Sequence, residues 1–134
     1  MISKEEFLSI PKMARDIAEE KNRIAVMRAK LYSPRGLDTS DKVQSSGSQT
    51  ALADIVIDKE QRLESRVCEL DRLREEAERI ILGNDILSDD EIMLMLLRYS
   101  DCKTWREITE TIHYGIATTY RMNRIALDIL FDED

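Results

Sequence analysis

The 134-residue chain is predicted to be all-α, with long N-terminal helices in a helical hairpin or coiled coil and a C-terminal trihelical unit. Three observations lead there. Aromatic residues make up only 5% of the chain against 35% charged residues, which argues against a dense β core. Just four Gly and two Pro interrupt a composition rich in Ala, Glu, Leu, Lys, Arg and Ile, as long helices require. Apolar residues then recur at three-, four- and seven-residue intervals, the period of a helix with one buried stripe.

The first element opens at Ser3, which has Glu6 three residues on, the spacing of a capping box. Pro11 is tolerated in a first helical turn but not deep inside a helix, so a break is expected near Ser9–Ile10. A main helix then runs from about Pro11 to Leu31. Ile10, Ile17, Ile24 and Leu31 recur every seven residues, joined by Met13, Ala14 and Met27, and form its apolar stripe.

Residues 32–50 break that pattern. They are polar, contain Pro34, Gly36 and Gly47, and lack apolar periodicity, so a linker is expected there. From Ala51 to about Leu82 a second long helix is expected. Val56, Leu63, Leu70 and Ala77 make one row at seven-residue spacing, while Leu52, Leu73 and Ile80 make a second, interrupted at Lys59 and Arg66. This imperfect heptad seam needs a partner, either the first helix folded back or the same helix of another subunit. Gly83–Asn84 supplies a C-cap and a boundary. Two regions follow, 1–83 and 84–134.

In the second region Ser88 can cap a helix whose first turn carries Asp89, Asp90 and Glu91, negative charge where the macrodipole favours it. Its apolar positions are Ile92, Met95, Leu96 and Tyr99, and Ser100 to Lys103 form a turn. Thr104 with Glu107 makes another capping box, opening a short helix from Trp105 to Ile112 whose buried face is Trp105, Ile108 and Ile112. His113–Tyr114–Gly115 is a three-residue turn, and a last helix runs from Ile116 to about Phe131. Two helices joined by a short turn containing Gly are a helix-turn-helix, whose second member enters the DNA major groove.

Several function classes are excluded. Cys68 and Cys102 belong to no CxxC pair, and His113 is the single histidine, so neither a zinc site nor a disulfide framework is expected. No nucleophile, metal or phosphate-cradling motif marks an enzyme, and no cofactor is expected. No apolar run approaches the roughly 20 residues that span a bilayer, and the N-terminus is unlike a signal peptide. A cytoplasmic protein, without membrane contact, follows as the expectation. Trp105 is read as core, His113 as a turn residue, and the run Met93–Met95 as packing.

The net charge of -7 speaks against indiscriminate nucleic-acid binding. Its distribution matters more, because salt screens fields beyond about 8–10 Å. Between Gly115 and Leu127 stand Arg121 and Arg124 and no acidic residue.

The segments Leu96-Leu97-Arg98-Tyr99, Trp105-Arg106-Glu107-Ile108 and Arg124-Ile125-Ala126-Leu127 give the C-terminal third a resemblance to region 4 of bacterial sigma factors. The long first helix, the polar linker with Asp41-Lys42-Val43 and the coiled-coil helix extend it. Together they are similar to ArpU/RinA-type transcriptional regulators of phages and prophages. The chain departs at Thr109, His113 and Thr119, where sigma-like helices usually carry Ala, Gly and an aliphatic residue. Threonines there weaken packing unless their hydroxyls bond to backbone carbonyls.

By position, the resemblance places Gly115, Ile116, Ala117 and Thr118 at the start of the recognition helix, with Thr118 and Arg121 projecting together. Arg121 is the candidate guanine contact, since its fork reaches two acceptors at once. Lys103, Thr104, Arg106 and Arg124 are candidate phosphate contacts that set register. The resemblance implies a sequence-specific DNA-binding regulator of late phage genes in a bacterial host cell. Its partners would be double-stranded DNA, RNA polymerase, and a second copy through the long helices. Two alternatives stand beside it: a DNA-packaging component like a small terminase subunit, and an adaptor whose trihelical tail binds protein only.

Overall fold

A computed structural model describes residues 1–31 and 42–132, with side chains described for 1–31 and 51–132. The described residues contain no strand. They form α1 (Lys4–Leu31), α2 (Lys42–Leu82), α3 (Asp89–Met95), α4 (Trp105–Ile112) and α5 (Ile116–Leu130), and α3 runs on into a π-helical turn, Leu96–Ser100. The all-α class expected from composition is the class observed. By contacts the chain divides into two compact units, one of Met1–Ala14 with Leu70–Asp134, the other of Arg15–Glu69.

The first unit gathers its core from elements far apart in sequence. Ile2 just before α1, Phe7 and Ile10 from α1, Leu70, Leu73, Ala77 and Ile81 from α2, and Leu94, Met95, Tyr99, Ile108, Ala126 and Leu127 from the C-terminal third are buried. Phe7 is fully enclosed. Its ring lies 4.5 Å from Tyr99 and 5.0 Å, edge-on, from Phe131. Residues on both sides of residue 83 share this core, because the ends of both long helices carry apolar faces that the three short helices cover.

Two further expectations are corrected. No break occurs near Ser9–Ile10, because α1 is continuous with Pro11 inside it. Proline removes the N–H that would reach the Phe7 carbonyl, at a cost of about 3 kcal/mol in a helix interior. Full burial of both Phe7 and Ile10 offsets it, at roughly 1.5–3 kcal/mol for each large apolar side chain. In addition, α2 begins at Lys42, nine residues before Ala51, so the expected linker does not extend over 42–50. Its remaining part, 32–41, lies outside the described residues.

Within the Arg15–Glu69 unit, Ile17 and Ile24 of α1 and Val56 of α2 are buried, with Leu52 and Leu63 half-buried. Arg28 of α1 pairs with Glu60 of α2, and Glu20 with Lys59 at 4.0 Å. Of the two partners open to the seam, the first helix is the one these pairs join to it. A hydrogen bond from Arg23 holds the Glu20 carboxyl below its ordinary value. Cys68 is an exposed free thiol on α2.

α2 ends at Leu82, just before the expected cap at Gly83–Asn84. Gly83 has no positive φ, yet a Cβ there would stand 2.8 Å from the Arg79 carbonyl oxygen, so only glycine fits. Asn84 then accepts hydrogen bonds from the N–H groups of Ile86 and Leu87 at 2.8 and 3.1 Å, which turns the chain towards α3. No helix among the described residues is long and apolar enough to cross a membrane.

Candidate nucleic-acid interface

Local sequence builds the three short helices of the C-terminal third. Ser88 accepts from the Glu91 N–H at 3.2 Å while the Glu91 carboxylate accepts from the Ser88 N–H at 2.9 Å, so α3 opens on a complete capping box. Thr104 and Glu107 repeat the arrangement for α4, at 3.2 and 3.0 Å. The backbone N–H of Thr104, and next its hydroxyl, hold the Glu107 carboxyl below its ordinary value. Three-residue turns of this kind need one left-handed residue, and here it is His113, with φ 63° and ψ 31°. Its N–H donates to the Thr109 carbonyl at 2.9 Å and closes α4.

The connection between α3 and α4 is tighter than a plain turn. Asp101 donates back five residues to the Leu96 carbonyl at 2.9 Å and Lys103 back six to that of Leu97 at 2.8 Å, around a left-handed Cys102 with φ 57°. This π-helical turn aims three side chains. Tyr99 donates its hydroxyl to Asn123 Oδ1 of α5 at 3.1 Å. Arg98 donates to the Lys103 carbonyl at 3.0 Å and lies over the Trp105 ring, 4.5 Å from its centre. Cys102 is half-buried, which pushes its thiol pKa up. From α2, Arg74 Nε donates to the Ser100 carbonyl and braces the same turn.

Residues Arg74, Arg98, Tyr99 and Asn123 were not among the sequence candidates. For Tyr99 a signal exists: a buried phenol needs a partner for its hydroxyl, and burial indeed raises its pKa. The partner on α5 could not be read from spacing.

Both threonines at the departure positions bond to backbone carbonyls. Thr119 is fully buried and donates to Gly115 at 2.9 Å, and Thr109 donates to Arg106 at 2.8 Å. Met95 is buried, in keeping with a packing role, whereas Met93 is half exposed. Trp105 is half-buried rather than core, stacked edge-on against Tyr120 at 5.1 Å.

That ring contact joins the first turn of α4 to α5. α5 buries Thr119, Ala126 and Leu127. Its opposite face carries Ala117, Arg121, Arg124 and Asp128 at i, i+4, i+7 and i+11, one row along the helix, all exposed. Thr118 is half-buried at the edge of the row, so Ala117, not Thr118, stands in line with Arg121. Gly115, Ile116, Lys103, Thr104 and Arg106 are exposed as well.

Their availability differs. Arg121 and Arg124 form no ion pair with any described residue, whereas Arg106 reaches Glu110 at 3.5 Å across an exposed helix turn. The Thr104 hydroxyl accepts from the Glu107 N–H and donates to its carboxylate at 3.0 Å, so the cap occupies it. Tyr114 donates to Asp90 Oδ2 at 2.7 Å, tying the turn to α3, and that bond raises its pKa. Among the described residues no cluster of three or more His, Cys, Asp or Glu could hold a metal ion.

No protein-family model, curated protein or solved structure matches the chain.

Proposed function

We propose that this chain is a sequence-specific DNA-binding transcriptional regulator of phage or prophage genes, reading duplex DNA with α5. The observation that supports this reading most is the outward face of α5. It is exposed, carries two arginines without ion-pair partners among the described residues, and has no acid between Gly115 and Leu127. The first turns of a recognition helix meet base edges and later residues meet phosphates. Ala117 and Arg121 take the base-reading places, with Arg121 suited to guanine, while Arg124, Arg106 and Lys103 contact phosphates. Thr104 serves by capping α4, holding Arg106 in register.

Titration of fluorescent 30-base-pair duplexes, drawn from the host phage region and from random sequence, tests the reading. Arg121→Ala is expected to weaken the preferred duplex by roughly tenfold or more and to erase the preference. Arg124→Ala should weaken both duplexes alike and flatten the salt dependence by about one ion. Crosslinking the tagged chain across the genome during prophage induction should give a peak at a promoter. Enrichment at a packaging site, or undiminished activity after both arginines are removed, would overturn the proposal. RNA polymerase contact and a homodimer through α1 and α2 belong to the same proposal. Sedimentation separates a dimer from the ring of a packaging subunit.

A further inference from the structure

We infer that Asp128 acts as an electrostatic filter on the DNA-facing row of α5, holding down binding to DNA of arbitrary sequence; this rests on the duplex-binding reading above. Asp128 is exposed and stands in one row with Ala117, Arg121 and Arg124. It forms no ion pair or hydrogen bond with any described residue, Arg124 one turn before it included. Its place is the last turn of a helix ending at Leu130. There the macrodipole disfavours negative charge, so this carboxylate costs stability instead of adding any.

Helix geometry supplies the filter. Seven residues separate Arg121 from Asp128, about 10 Å along the axis. The major groove is about 12 Å wide, so a helix with Arg121 over base edges carries its next two turns to the rim, where the phosphates are. Arg124 meets that rim with a positive charge and Asp128 with a negative one. The separation from phosphate then falls inside the screening length of about 8–10 Å, and the repulsion survives at physiological salt. Binding that relies on phosphates alone is weakened in full. A site whose bases engage Arg121 bears the same penalty but adds contacts that do not depend on Asp128, so it stays bound at concentrations where arbitrary DNA is released.

The test uses the full chain and a random-sequence 30-base-pair duplex, titrated by anisotropy at 50, 100 and 200 mM KCl. Asp128→Asn is expected to tighten binding about threefold at the lowest salt, and Asp128→Lys about tenfold, with a log–log salt slope steeper by about 0.9. Glu64→Lys, an exposed position in the other unit, makes the same change in net charge. It should tighten binding less than twofold and leave the slope unchanged. Equal effects of Asp128→Lys and Glu64→Lys, or Asp128 variants within twofold of the wild type, would overturn the inference while leaving the function intact. No binding by the wild type even at 50 mM KCl would overturn both. Thermal melts followed by circular dichroism should show the Asp128 variants at least as stable as the wild type.

Discussion

Replacing His113 by glycine tests how the turn between α4 and α5 is held. His113 closes α4 in the left-handed region, with φ 63° and ψ 31°. An L-residue there bears about 1–2 kcal/mol of steric cost, which glycine escapes. Glycine returns about 0.5–1 kcal/mol of that advantage through the greater chain entropy it loses on folding. The imidazole is exposed and makes no hydrogen bond with a described residue, so its removal takes nothing else away. The net expectation for His113→Gly is a gain of about 0.5–1 kcal/mol, or roughly 2–4 °C in Tm. His113→Ala keeps the left-handed cost and should stay within about 0.5 kcal/mol of the wild type. Urea denaturation followed by fluorescence reads the difference, because Trp105 is the chain's single tryptophan and opens α4. A glycine variant no more stable than the alanine variant would refute the reasoning.

Three other expectations follow from the same structure. Phe7→Ala should destabilise the first unit by about 3–5 kcal/mol and loosen the three short helices more than 80 residues away, visible as a shift in Trp105 emission in native buffer; unchanged emission would contradict the shared core. Thr104→Ala should cost about 0.5–2 kcal/mol through the lost α4 cap, measured by urea denaturation. The third concerns pH. Because the folded-state Glu107 carboxyl is held below its ordinary 4.5, its contribution is present above that value and disappears as pH falls through the lowered one. The Tm difference between wild type and Glu107→Gln should therefore be largest near pH 7 and shrink below pH 4.5. A constant difference down to pH 3 would exclude the capping carboxylate as its source.

What could be read in advance was local. The boxes Ser3–Glu6, Ser88–Glu91 and Thr104–Glu107 each depend on a side chain reaching three residues, and all three form. The Trp105–Ile112 helix and the start of the last one at Ile116 followed from those caps and the short turn. The seam through Val56, Leu70, Leu73 and Ala77 followed from the seven-residue period. Where sequence and structure parted, distant packing decided. Pro11 argues for a break by its own chemistry, and the burial of Phe7 and Ile10 overrules it. The π-helical turn leaves no periodic trace, since Leu96 and Tyr99 inside it keep ordinary helical spacing with Ile92 and Met95. Within the candidate interface, residue types and charge were visible, but the row that faces outward was not. Ala117 and Thr118 both lie one turn from Arg121; which of them faces outward depends on how α5 is rotated on α3 and α4, and the fully buried Thr119 marks that rotation.

The most direct test is an amide chemical-shift map of the full chain during titration with a 30-base-pair duplex. The account predicts shifts clustered on residues 103–106 and 115–124, with α2 residues Ala51–Glu69 unmoved. Shifts confined to the long helices, or none at a saturating duplex concentration in 50 mM KCl, would contradict it.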